Sequence, residues 1–118
     1  MITLVNGNFE DAAGNAVNGS LQLRLNLAAR VVANPSQVVA ATPILFSVVN
    51  GNLSGTCQVY SNAELLPQNA TGLATLYFAA LFDQSGARLS DEATRWQFSN
   101  PAGSVVDISG MIPIRNGN

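Results

Sequence analysis

Histidine and lysine are absent from this chain of 118 residues, and cysteine occurs once. Each absence removes chemistry. Without histidine, and with Cys57 as the lone thiol, no zinc or other nitrogen/sulfur metal centre can be assembled within one chain. A serine or cysteine nucleophile lacks its usual His or Lys base, so nucleophilic catalysis has no support. A single cysteine also excludes an intramolecular disulfide framework, and Cys57 reads as a small core residue on a strand. Charge is scarce: 10% of residues carry it, against roughly 25% in an ordinary soluble domain. The five arginines (Arg24, Arg30, Arg88, Arg95 and Arg115) are scattered singly and the net charge is −2. A phosphate-tracking surface is therefore not indicated, and no nucleic-acid partner is expected. No apolar run approaches the ~20 residues that span a bilayer, so no membrane partner is expected either. Met1 to Val5 lacks the basic and apolar regions of a signal peptide, which implies synthesis in a cytoplasm.

What is present is apolar and neutral. Hydrophobic residues make up 47% of the chain, enough for one core in a single domain over residues 1–118. The surface must then be built from Asn, Ser, Thr, Gln and Gly. Such groups lose less on dehydration than ions do, so a neighbour can cover them at lower cost. That favours an assembling protein over a neutral β domain that stays monomeric.

Alternation with period two dominates the chain. In Leu21-Gln22-Leu23-Arg24-Leu25-Asn26-Leu27 four leucines face one way and polar residues the other, the pattern of a half-buried strand. Ile2 to Phe9 reads as a first strand, with Asn6-Gly7 as a glycine bulge inside it, and Asp11 to Val17 as a turn. Ile44-Leu45-Phe46-Ser47-Val48-Val49 is apolar on both faces, as expected of a strand in the middle of a sandwich. It meets Asn50-Gly51, the pair that favours a type I′ hairpin, with Leu53 to Tyr60 as the return strand. Leu73 to Phe82 fits two patterns. Ala74, Leu76, Phe78, Ala80 and Phe82 alternate as a strand face, while Leu73, Leu76, Tyr77, Ala80 and Leu81 fit a helix stripe. The aromatics and the flanking turn residues favour the strand. Arg95 to Phe98, with Trp96 and Phe98 on one face, Val105 to Ile108, and Met111 to Ile114 follow. Ala28 to Thr42 reads as a strand with a long connection or as a strand pair at an edge. Asn62 to Pro67 reads as a helical turn or a crossing loop. Seven or more short strands with closely spaced turns point to an all-β, two-sheet antiparallel sandwich.

Little else carries chemistry. Glu10-Asp11 and Asp91-Glu92 lack calcium-loop spacing and read as solvated loop carboxylates. An enzyme using two of the seven acids is the residual catalytic hypothesis, though nothing selects a pair. No cofactor-binding fingerprint is present. Trp96, Tyr60 and Tyr77 are candidate contacts for a ligand or partner, since rings stack on apolar sugar faces. The competing reading puts Trp96 in the core, because it alternates with Arg95 and Gln97. Asn18-Gly19-Ser20, Asn52-Leu53-Ser54 and Asn69-Ala70-Thr71 match the glycosylation pattern, for which chance suffices in so Asn-rich a chain.

The order of motifs resembles that of β-sandwich domains in tailed-phage virion proteins. In the opening, Ile2 to Leu21, a strand ending at Gly7-Asn8-Phe9-Glu10-Asp11 leads through a turn into the leucine-alternating strand. Tyr60-Ser61-Asn62-Ala63-Glu64-Leu65-Leu66-Pro67 is similar to their "N-D-x-L-x-P" crossing. Tyr77, Gly86, Trp96 and Ile108-Ser109-Gly110 resemble their later markers. The likeness covers most of the chain; Ala16 stands where a proline is usual and Ala63 where an acid is. It implies an immunoglobulin- or transthyretin-like sandwich of about seven to eight strands, located in the virion as a tail-fibre, collar or head-decoration subunit. Its partners would be other virion proteins and further copies of itself. Position alone, and not the resemblance, marks the terminal segments Met1–Val5 and Met111–Asn118 as docking arms. It carries over no catalytic residue. The alternative is a carbohydrate-binding or adhesin module that recognises a host glycan.

Overall fold

A computed structural model describes residues 1–69, 72, 73, 75–90 and 95–110. In chain order its strands are β1 (Ile2–Val5), β2 (Gly19–Leu25), β3 (Ala29–Val31), β4 (Asn34–Val39), β5 (Ile44–Val49), β6 (Asn52–Leu53) and β7 (Cys57–Val59). After a 3-10 turn at Asn62–Glu64 come β8 (Leu65–Leu66), β9 (Gln68–Asn69), β10 (Gly72–Leu73), β11 (Tyr77–Asp83), β12 (Arg95–Trp96) and β13 (Val105–Asp107). The fold is all-β and sandwich-like, with more and shorter strands than the seven or eight expected.

The largest sheet has the order β12-β11-β2-β5-β6, and a three-stranded sheet runs β13-β1-β7. Alternation explains both. Leu21, Leu23 and Leu25 of β2 turn inward beside Leu81, Ala79 and Tyr77 of β11, their register partners. Ile2 and Leu4 of β1 lie beside Val59 and Cys57 of β7. These inner faces belong to one core with Val48, Trp96, Phe98 and Ile108. Each buried aliphatic side chain there contributes about 1.5–3 kcal/mol relative to exposure. A second three-stranded sheet, β4-β3-β8, and the pair β10-β9 complete the strands.

The Asn50-Gly51 hairpin forms as its sequence predicts. Val49 pairs with Asn52, and Asn50 and Gly51 both have positive φ, at 51° and 83°. The turn is also a docking point: Gly51 donates to Val17 O and accepts from Phe9 N–H, and Leu53 N–H reaches Asn6 O. The β3–β4 hairpin realises the strand-pair reading of Ala28 to Thr42. The 3-10 turn realises the helical-turn reading of the stretch after Tyr60, closed by a capping box between Ser61 and Glu64.

Several expectations are corrected. The first strand stops at Val5, because Asn6, Gly7 and Asn8 all adopt positive φ; the Asn-Gly pair ends the strand instead of bulging it. Leu27 lies beyond β2 and is exposed. The return from the hairpin breaks after Leu53, and the chain leaves the large sheet to form β7 beside β1. β5 is not covered on both faces: Ile44, Leu45 and Val49 are exposed. Met1–Val5 is no free arm, since β1 lies between two partners and its Ile2 and Leu4 are buried. The Met111–Ile114 strand, the Met111–Asn118 arm, the Asp91-Glu92 pair and the full Asn69-Ala70-Thr71 triplet extend outside the described residues.

Candidate functional site

The three aromatic candidates occupy different environments. Trp96 is 2% exposed and Tyr77 4% exposed, both inside the core. Trp96 meets Phe98 edge-on with centroids 6.3 Å apart. Tyr77 donates its hydroxyl to Tyr60 O at 2.6 Å. Burial, with the Glu64 charge adding to it, pushes the Tyr77 phenol far above its usual range, so it stays a donor. Tyr60 is half-buried at the margin, where its hydroxyl accepts from Gln37 Nε2 at 3.2 Å. The three rings form no common exposed platform.

The opposite face of the large sheet carries what the sequence did not single out. Because Tyr77, Ala79 and Leu81 point inward, Phe78, Ala80 and Phe82 point outward. Phe78 is the direct cross-strand partner of Arg24 on β2 and of Arg95 on β12. Both guanidinium groups reach its ring, 5.0 and 5.9 Å from the centroid. Phe82 bridges to Arg88, whose guanidinium lies 5.3 Å from that ring. Arginines that look scattered in sequence are thus gathered by register. None has a carboxylate partner among the described residues, where the one ion pair joins the N-terminal ammonium to Glu64. A guanidinium laid on a ring uses its flat face and leaves its in-plane N–H donors available to a carboxylate. Further along the same face Leu45 of β5, beside Gln22, is 64% exposed, and Val49 is 51% exposed.

The acids are placed differently. Asp11, Asp83 and Asp107 each fasten their own turn. Asp11 accepts from Ala13 and Asn15 N–H, Asp83 from Ser85 and Ala87 N–H, and Asp107 from Ser109 N–H. These bonds hold all three carboxyls below their ordinary range, led by the backbone of Asn15, the hydroxyl of Ser85 and the backbone of Ser109 respectively. Among the described residues no group of three His, Cys, Asp or Glu side chains is placed to hold a metal ion. Cys57 is buried, and burial raises its thiol, which keeps it protonated and inert.

A cavity of about 310 Å³ opens between the Gly7–Glu10 loop and the β11–β12 end of the large sheet. Its lining includes Trp96, whose indole Nε1 is buried beneath the surface with no acceptor among the described residues. Such an orphaned donor costs about 1–3 kcal/mol.

The alternation puts Phe78, Ala80 and Phe82 on one strand face but does not say which way that face turns. The leucines of β2 select the other face once the pairing register is known. No family model, no curated protein and no solved structure matches this chain.

Proposed function

We propose that this protein is a non-catalytic β-sandwich subunit that acts by assembling with other protein surfaces, and that its setting is a virion, as a multi-copy tail-fibre, collar or head-decoration component. The observation that carries the assembly reading is the outer face of the large sheet. Arg24, Arg88 and Arg95 lie there without a carboxylate partner among the described residues, over Phe78 and Phe82, and exposed Leu45 and Val49 extend the same surface. Interfaces are enriched in arginine and aromatic residues and depleted in lysine and glutamate, and this face has that composition. Its partner would present carboxylates to the guanidinium groups and an apolar strip to Leu45 and Val49. The virion setting is supported by the motif order in the sequence. The glycan-binding alternative has less support, because the half-buried rings of Phe78 and Phe82 are already covered by guanidinium groups.

Light scattering over a concentration series, with copy counting in purified particles, tests the reading. The expected result is a defined oligomer or stoichiometric incorporation that weakens at least tenfold in Arg24→Gln/Arg88→Gln/Arg95→Gln. A strictly monomeric protein, absent from every particle, would overturn it.

A further inference from the structure

On the outer face of the large sheet the side chains change size abruptly. Along β11 the outward residues run Phe78, Ala80, Phe82, so a methyl group stands between two rings. Register decides what surrounds the gap. Gln22 of β2 lies directly opposite Ala80 and Arg24 opposite Phe78, while Arg88 bridges to Phe82 from the other side of β11. The resulting notch, of about 160 Å³, has Gln22, Arg24, Phe78, Ala80 and Arg88 in its lining. Both arginines are exposed, so their N–H donors meet a group arriving from outside. We propose that this notch is a socket for one carboxylate side chain of a different protein, held between Arg24 and Arg88, and that an aliphatic side chain of the same partner covers Leu45.

Size, charge and position carry the choice. At about 160 Å³ the notch is smaller than sites that enclose whole small molecules, and it suits the head of a side chain. A carboxylate takes two parallel N–H bonds from a guanidinium. Leu45 neighbours Gln22 on β5, so it lies two strand spacings from Ala80, about 10 Å. An exposed leucine at that distance finds no apolar cover in a nucleic-acid backbone, whereas a protein supplies both an acid and an aliphatic residue. A second copy docking through the same face would set arginines against arginines. The socket rests on the assembly reading and narrows it to an acidic surface of another protein.

The test follows the arginine Nε–Hε cross-peaks of the full chain during titration with acetyl-Leu-Gly-Gly-Glu-amide, whose leucine and carboxylate can stand about 10 Å apart. A saturable shift of the Arg24 and Arg88 peaks is expected, with an affinity about tenfold tighter than that of the matching glutamine peptide. Arg24→Gln and Arg88→Gln should each remove most of that preference and leave the melting temperature unchanged, since both side chains are exposed. Asp91→Asn/Glu92→Gln, which neutralises the acids ahead of β12, should change the affinity less than about twofold. Equal affinities for the two peptides, tighter binding of oligothymidylate at the same peaks, movement of those peaks when the protein alone is concentrated, or a gain of about tenfold in Asp91→Asn/Glu92→Gln would overturn the socket. If particle incorporation depends on the arginines but the peptide moves neither peak, the socket fails and the assembly reading stands. A peptide that binds as expected to a protein absent from every particle gives the reverse.

Discussion

Asn62 has no exposed surface, and both ends of its amide are used: Nδ2 donates to Thr75 Oγ1 and Oδ1 accepts from Phe98 N–H. Ser61 beside it donates to Phe98 O. These bonds tie the 3-10 turn to the segment after β12, and their cost if broken is that of buried groups left unpaired. Asn62→Ala should lower unfolding free energy by about 2–3 kcal/mol in urea denaturation, without changing the slope of the transition. The three turn-fastening aspartates act in the opposite environment, at the surface. Their folded-state carboxyls titrate below the ordinary value of 3.8. The unfolded chain therefore binds protons first as pH falls. Their stabilisation is complete above the unfolded pKa near ~4 and is lost as pH drops through the folded values. Denaturation midpoints should accordingly be flat near neutrality and fall below pH ~4, and Asp83→Ala should make that fall shallower.

At the scale of elements, glycine positions decide more than side chains do. A Cβ on Gly19 would sit 1.9 Å from Phe82 O, inside the β2–β11 pairing. Gly19→Ala must push the two central strands of the large sheet apart, and a loss of about 2–3 kcal/mol is expected in thermal or urea unfolding. Gly51 combines positive φ with a Cβ position 2.7 Å from Phe9 O. Gly51→Ala should therefore destabilise more than Gly86→Ala, where the Cβ meets open space and only the positive φ is strained. Comparison of the two melting temperatures checks this. The Asn50-Gly51 hairpin and the leucine strand were legible because their signals are local: turn chemistry in one case, strict alternation in the other. The exposure of β5 was not. Six apolar residues in a row look the same whether both faces are covered or one awaits a partner. The switch of sheets between Leu53 and Cys57 was equally hidden, since Cys57 leaves the large sheet for pairing with β1, more than fifty positions away.

For the whole molecule, the distribution of charge matters more than its amount. Three of the five arginines gather on one sheet face, while Asp11, Asp83 and Asp107 are spent within their own turns. The candidate face was thus invisible in the linear order, where Arg24 stands more than sixty residues before Arg88 and Arg95. Association through this face should weaken as salt rises, since guanidinium–carboxylate contacts at an open surface are screened. Leu45→Glu should abolish it by placing an acid on the apolar strip. The same substitution should leave unfolding free energy within about 0.5 kcal/mol, because Leu45 is already exposed. Sedimentation and denaturation of the one variant separate the two effects.

The parallel pairing of β1 with β13 joins Thr3–Val5 to Val105–Asp107. A nascent chain leaving the ribosome at ~5–20 residues per second must hold Ile2 and Leu4 without that neighbour for several seconds. This strand is in this sense a half-made zipper, sticky from the moment it emerges, whose closing row of teeth is synthesised about a hundred residues later. Chaperone dependence in the cell would follow from that delay, even for a protein whose finished form is stable.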